Sequence, residues 1–154
     1  MEKIAIIDLG SNSARLVLVN ILEGGYFVVF DELKETVRLG QDMEWDGFLK
    51  PPRIAQTIKT LKMFMRLCDA NGITKIFAYA TSAVRRAKNQ KSFLDEVAMT
   101  CGLKIKVLSK EEQATLVYQG VINSMDIPKG FIMDIGGGST QFIYYNRRNL
   151  IAYE

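Results

Sequence analysis

The chain has 154 residues, 48% of them hydrophobic and 24% charged, a balance that fits one domain of ordinary size and excludes two full-sized ones. It contains no histidine, so Ser-His-Asp triads, Cys-His pairs, phosphohistidine intermediates and histidine-ligated metals are excluded, and proton transfer falls to carboxylates. A net charge of +3 is too small to argue for a nucleic-acid surface, and no apolar run approaches the roughly 18 residues that cross a bilayer.

The start, Met-Glu-Lys followed directly by a β-type run, lacks the layout of a signal peptide, so the expected location is cytoplasmic, with neither membrane nor nucleic acid as partner. Lys3 to Leu9 is a near-continuous apolar run and reads as the first strand, Arg15 to Leu22 as the second and Tyr26 to Phe30 as the third, with Gly24-Gly25 turning between the last two. The third strand is expected to continue with interruptions through Val37 and Leu39 to Gly40, and Asp46-Gly47 marks a turn.

Pro51-Pro52 opens a helix whose Ile54, Ile58, Leu61, Met65 and Cys68 fall at alternating spacings of four and three, and Asn71-Gly72 closes it. Lys75 to Ala80 is then a short buried strand, and strand, helix, strand in this order calls for a parallel crossover. A second helix from about Asn89 to Thr100 turns Phe93, Leu94, Val97, Ala98 and Cys101 inward and ends at Gly102. A strand at Ile105 to Leu108 follows, then a third helix from Ser109 carrying Leu116, Val117, Val121 and Ile122. Cys68 and Cys101 form no CxxC pair and lie within apolar helical patterns, so both are expected as reduced core residues.

The order β-β-β-α-β-α-β-α is that of a ribonuclease H-like α/β domain with a mixed sheet. Ile127-Pro128-Lys129-Gly130 reads as a linker. The stretch from Phe131 to Glu154 holds two or three strands and no helix, too little to bury its own core. The expected organisation is a complete domain over residues 1–127 and the opening β-hairpin of a second similar domain over 128–154.

One unit occurs twice. Ala5-Ile6-Ile7-Asp8-Leu9-Gly10-Ser11-Asn12-Ser13 and Ile132-Met133-Asp134-Ile135-Gly136-Gly137-Gly138-Ser139-Thr140 each run from a buried strand through an aspartate into a turn of small residues. Backbone N–H groups exposed in such turns form concave anion sites, because Gly and Ser let a phosphate approach the main chain. Asp8 and Asp134 would repel that phosphate unless a divalent cation sits between them, held by oxygen ligands. Two such loops facing each other would grip a polyanion from both sides. The plainer alternative is a pair of ordinary hairpins whose Asp and Gly residues only satisfy turn geometry.

Four separated segments, Asp8-Leu9-Gly10-Ser11-Asn12-Ser13, Thr81-Ser82-Ala83-Val84-Arg85, Glu112-Gln113-Ala114 and Asp134-Ile135-Gly136-Gly137-Gly138-Ser139-Thr140, resemble the exopolyphosphatase and guanosine pentaphosphate phosphatase family. That family belongs with sugar kinases, actin and heat-shock ATPases, whose two ribonuclease H-like lobes enclose a phosphate-binding cleft. The resemblance implies a hydrolase that removes the terminal phosphate of inorganic polyphosphate or of guanosine pentaphosphate with magnesium (Mg2+) as cofactor. It further implies that Gly10, Ser11, Asn12 and Ser13 line one phosphate loop and Gly136, Gly137, Gly138, Ser139 and Thr140 the other. Asp8 and Asp134 would organise the metal, and Arg85 would point into the cleft from the loop after the Lys75 to Ala80 strand. Arg86, Lys88 and Lys91 would add positive field at the entry, or simply form a solvated surface.

The sequence departs from the family at one place. The glutamate that activates the attacking water in the family lies immediately before the alanine of the Glu-Glu-Ala segment, and here that position is Gln113. Glutamine orients a water by hydrogen bonding but cannot accept its proton. Glu112 could substitute, yet Ser109-Lys110-Glu111-Glu112 also fits a capping box that would occupy it. Three functions follow: a phosphohydrolase, a module that grips polyphosphate or a guanosine alarmone with little hydrolysis, or an actin-like or sugar-kinase-like ATPase. The 154-residue chain alone is expected to be nearly inactive, and its terminal strand edges invite a homodimer.

Overall fold

The computed structural model describes residues 2–146 and 149–154. Strand β1 (Glu2–Leu9) pairs antiparallel with β2 (Ser13–Ile21), which pairs antiparallel with β3 (Phe27–Thr36). Side-chain alternation sets the inner face, burying Ala5, Ile7 and Leu9 of β1 and Ala14, Leu16 and Leu18 of β2. Between β2 and β3 the chain turns with Gly24 at φ +78° and Gly25 at φ +81°, a region that glycine enters without the steric cost of a Cβ. The third strand is continuous to Thr36 rather than interrupted, since β3 follows β2 through a bulge at Leu18/Val19. Val37 and Leu39 are buried core residues beyond its end.

Helix α1 (Pro51–Ala70) starts on its two prolines and buries Ile58, Leu61, Phe64 and Cys68. Strand β4 (Lys75–Ala80) then runs parallel to β1, as the crossover requires. A five-residue helix α2 (Ser82–Arg86) follows directly, where the sequence suggested a loop. Helix α3 (Gln90–Cys101) buries Phe93 and Val97 and ends at Gly102 with φ +63°. Strand β5 comprises only Lys106–Val107, shorter than the expected Ile105 to Leu108. The sheet order β3-β2-β1-β4-β5 is the expected ribonuclease H-like arrangement. Cys68 and Cys101 are both free thiols.

Helix α4 (Lys110–Ser124) packs differently from the expectation. Its buried residues are Ala114 and Tyr118, whereas Leu116 is 47% exposed. The helix lies on a second antiparallel sheet of β6 (Lys129–Ile135), β7 (Thr140–Asn146) and β8 (Asn149–Tyr153). β6 begins inside the segment read as a linker. Ala114, Tyr118, Ile143 and Tyr145 form a separate small core with Val117 and Ile122 packed against it, and the Tyr118 and Tyr145 rings meet at 5.8 Å. Three strands cannot bury a face alone; α4 supplies the missing layer. Among the described residues no helix is long and apolar enough to cross a membrane.

Two substitutions separate packing from propensity. Phe64→Ala removes a side chain with no exposure and should cost about 3–5 kcal/mol in urea unfolding. Gly120→Ala adds a Cβ that meets nothing within 4 Å in α4 and should gain about 0.5–1 kcal/mol in the same experiment.

Candidate phosphate-binding site

The parallel strands β1, β4 and β5 end side by side, tied by Thr81 N–H to the Leu9 carbonyl at 3.2 Å and Leu108 N–H to the Ala80 carbonyl at 2.9 Å. Ligands of open α/β sheets gather outside such carboxyl ends. The first loop, Gly10 to Ser13, leaves β1 here.

The two repeated loops share one closing hydrogen bond. Gly10 N–H donates to the Ser13 carbonyl at 2.9 Å, and Gly136 N–H donates to the Ser139 carbonyl at 2.8 Å. A Cβ on either glycine would lie 3.3 Å from the same acceptor oxygen. Each aspartate also has the equivalent cross-strand partner, Asp8 opposite Arg15 and Asp134 opposite Gln141. The repetition in sequence is thus a repetition in backbone geometry.

What suits the first loop to an anion is the fate of its carbonyls. Val37 and Arg38 N–H both donate to the Asn12 carbonyl, at 2.9 and 2.8 Å, and Gly40 N–H donates to the Ser11 carbonyl at 2.8 Å. Segment 37–40 thereby draws these oxygens to one side, and no backbone carbonyl among the described residues receives the N–H of Ser11 or Asn12. This clamp holds Arg38 at φ +51°, a left-handed conformation that costs a non-glycine residue on the order of 1 kcal/mol.

The two loops touch instead of facing each other across a gap. A Cβ on Gly138 would fall 2.6 Å from Ser11 Oγ, and one on Gly137 would fall 2.8 Å from the Asn12 Cβ. Glycine is favoured at both because the short side chains of Ser11 and Asn12 already fill the space. Ser11 Oγ shares a buried 2.8 Å hydrogen bond with Ser82 Oγ of α2, which fixes the first loop against the end of β4. The open space is a cavity of about 510 Å³ lined by Ser11, Asn12, Gly137, Gly138, Arg38 and Arg86 together with Gly40, Gln41, Asp42 and Glu44. A larger groove of about 850 Å³ along α1 contains none of the loop residues, so volume alone does not mark the site.

The charged residues fall into two groups. Arg86 lines the cavity and donates through Nη2 to the Gly138 carbonyl at 3.3 Å. Arg85 does not line it. Its Nη1 donates to the Leu108 carbonyl at 2.7 Å and to Gln113 Oε1 at 3.2 Å, and burial, followed by the neighbouring Arg86, pulls its pKa down. Arg85 therefore sits in a short helix and faces α4, where a loop position facing the open cleft had been expected. Lys88 lies over the Phe48 ring at 5.5 Å, and neither it nor Lys91 lines the cavity.

Gln113 links this arginine to the second loop, its Nε2 lying 3.5 Å from Asp134 Oδ2. Glu112 points elsewhere. It completes the capping box with Ser109, whose N–H donates to Glu112 Oε2 at 2.9 Å, and it pairs with Lys106 Nζ at 2.6 Å. Lys106, then the Ser109 N–H, hold its carboxyl below the usual range, which makes it a poor proton acceptor. Buried Gln141 ties β7 to the first turn of α4 by donating to the Lys110 carbonyl at 3.1 Å.

Asp8 keeps solvent contact at the end of β1 yet is crowded by protein, and this desolvation raises its pKa. Arg15 opposes the rise and Asp134 adds to it. The Asp134 contribution places the second repeat carboxylate near enough to act on the first. Among the described residues no group of three His, Cys, Asp or Glu side chains is placed to hold a metal. A pair of carboxylates nevertheless suits magnesium, which keeps several waters and takes its remaining ligands from substrate phosphates.

Segments Gly10 to Ser13 and Gly136 to Thr140 were visible in the sequence, as were Asp8, Asp134, Arg85 and Gln113. Arg38 and Ser82 were not singled out: Arg38 looked like a polar interruption in a strand, and Ser82 lay in a segment where only the arginine drew notice.

Comparison with known proteins shows the family and the fold. Residues 17–153 match the model of the Ppx/GppA phosphatase family. The chain is 33% identical to a bifunctional 3-dehydroquinate synthase/phosphatase of Fusobacterium nucleatum, over 95% of this chain and 23% of that protein. It superposes on the crystal structure of the Aquifex aeolicus Ppx/GppA phosphatase with a TM-score of 0.85 and 31% identity, covering all of this chain and 51% of that one. An exopolyphosphatase from Cytophaga hutchinsonii gives a TM-score of 0.93 at 27% identity, with 99% and 49% covered. The chain spans about half the length of these solved relatives and less of the Fusobacterium protein. It belongs to the Ppx/GppA phosphatase family.

Proposed function

We propose that this chain carries the first phosphate-binding half of a magnesium-dependent phosphohydrolase that removes the terminal phosphate of inorganic polyphosphate or guanosine pentaphosphate. The observation that carries the reading is the pair of loops with the same closing hydrogen bond, in contact with each other and each headed by an aspartate. In this reading Ser11, Asn12, Gly137 and Gly138 present main-chain amides to the equatorial oxygens of the terminal phosphate. Ser13, Gly10, Gly136, Ser139 and Thr140 hold the turns in shape. Asp8 and Asp134 would hold magnesium, which when bound would supply positive charge against the phosphate oxygens. Arg85 holds Gln113, and Gln113 orients the attacking water.

One observation favours a second reading, a binding module with little hydrolysis. Gln113 already accepts from Arg85 and approaches Asp134, and a carboxamide cannot take the water's proton. The other candidate, Glu112, is committed to Ser109 and Lys106. Free phosphate released from polyphosphate and from guanosine pentaphosphate, measured with magnesium in the natural protein, separates the two. Gln113→Glu should raise release by about 100-fold or more if a missing base limits the rate. Rapid release by the unaltered protein, with no gain from Gln113→Glu, would remove the second reading. Tight binding with release only after that substitution would remove the first.

Asp8 gives a test that does not depend on turnover. Its folded-state pKa lies above the ordinary 3.8, so the folded chain binds its proton more tightly than the unfolded one. The stability this confers is present below pH 3.8 and is lost as pH rises through the folded value. Asp8→Asn cannot ionise; in calorimetry without magnesium it should melt higher than the unaltered chain at pH 7 and lose that advantage below about pH 4. Magnesium should raise the melting temperature of the unaltered chain more than that of the variant. Equal shifts in the two proteins would place the cation elsewhere.

A further inference from the structure

We infer that Arg38 and Arg86 form a second anion subsite, which takes the phosphate bonded to the one held by the loop amides and so distinguishes a phosphoanhydride from orthophosphate. The inference rests on reading the loops as a phosphate site. Its starting point is the cavity beside them. Ser11, Asn12, Gly137 and Gly138 line it, and Arg38 and Arg86 line the same cavity. A phosphate on the amides would therefore share its cavity with two guanidinium groups. Arg85 does not line this cavity; its Nη1 is turned to the Leu108 carbonyl and Gln113.

Both arginines are placed by the loops they would serve. Arg38 and Val37 N–H share the Asn12 carbonyl, and Gln41 N–H donates to the Arg38 carbonyl at 3.0 Å. The left-handed backbone of Arg38 is thus held from both sides, and its side chain leaves from a fixed point beside the first loop. Arg86 touches the second loop through the Gly138 carbonyl and its own helix through Nε to the Ser82 carbonyl, both at 3.3 Å. These long contacts leave most of its five N–H donors for a ligand. A planar fork suits two oxygens of one phosphate, which a lysine does not reproduce.

The carboxylates of the same cavity set a limit on length. Asp42 and Glu44 line it together with the arginines, so its field is not positive throughout and a longer anion meets carboxylates as well as guanidinium groups. Pyrophosphate should accordingly bind more tightly than orthophosphate, and tripolyphosphate should add little further.

Titration calorimetry of the chain with magnesium and each of the three anions tests this. Arg38→Ala should weaken pyrophosphate about tenfold, the loss of a charge-assisted contact, while orthophosphate changes less than twofold. Arg38→Lys should not restore the difference, and Arg86→Ala should act in the same direction as Arg38→Ala. Melting curves identify any variant that has lost its fold, and Arg38→Gln, which keeps a polar stem, then takes its place. Equal losses for orthophosphate and pyrophosphate, or no loss for either, would overturn the subsite while leaving the loop reading intact. If the unaltered chain binds neither anion, the loop reading itself fails and the subsite with it.

Discussion

The site depends on the direction of two carbonyl groups. An anion-binding loop needs its N–H groups turned toward the ligand, and that leaves its oxygens to be satisfied elsewhere. Here the oxygens of Ser11 and Asn12 receive three N–H groups from residues 37, 38 and 40. The buried Val37 and Leu39, at 1% and 0% exposure, anchor that segment in the main core. The hydrophobic core under the first sheet therefore fixes the polarity of the loop above it. A cavity at Leu39 would act on phosphate affinity through the backbone, without touching a ligand.

The second loop gains its position from the first. Gly137 and Gly138 rest on Asn12 and Ser11, Arg86 holds the Gly138 carbonyl, and Gln113 reaches from α4 to Asp134. α4 buries Ala114 and Tyr118 against the second sheet while Gln113, one residue before Ala114, faces Arg85. One helix therefore packs the second sheet and reaches the first lobe through its first turn. The capping box matters for the same reason: Ser109 and Glu112 fix where that first turn begins, and so where Gln113 is presented.

Much of this was legible in the sequence because it rests on local rules. Near-continuous apolar runs located β1 and β2, Pro51 and Gly102 marked helix ends, and the repeated Asp-x-Gly segments located both loops. The parts that could not be read depend on distant contacts. Arg38 takes a left-handed conformation only because Asn12 accepts its N–H, a pairing between residues 26 apart in a chain whose local pattern there reads as strand. The inward face of α4 was misjudged at Leu116 because the helix packs on a sheet that follows it in sequence. Arg85 and Arg86 are adjacent and identical in type, and only the short helix α2 decides that one faces α4 and the other the cavity.

The glutamine at position 113 changes how the charges of this site balance. Desolvation raises the cost of ionising Asp8, Arg15 opposes that rise and the nearby Asp134 adds to it. A third carboxylate at position 113, within reach of Asp134 Oδ2, would add repulsion that only a cation or Arg85 could offset. The carboxamide avoids this, since its Oε1 accepts from Arg85 while its Nε2 is turned to Asp134. The neutral bridge joins the two lobes without requiring a metal between them. With glutamine at this position the contact between Arg85, α4 and the second loop is held by a neutral group, and the same carboxamide that makes both contacts has no capacity to take a proton from water.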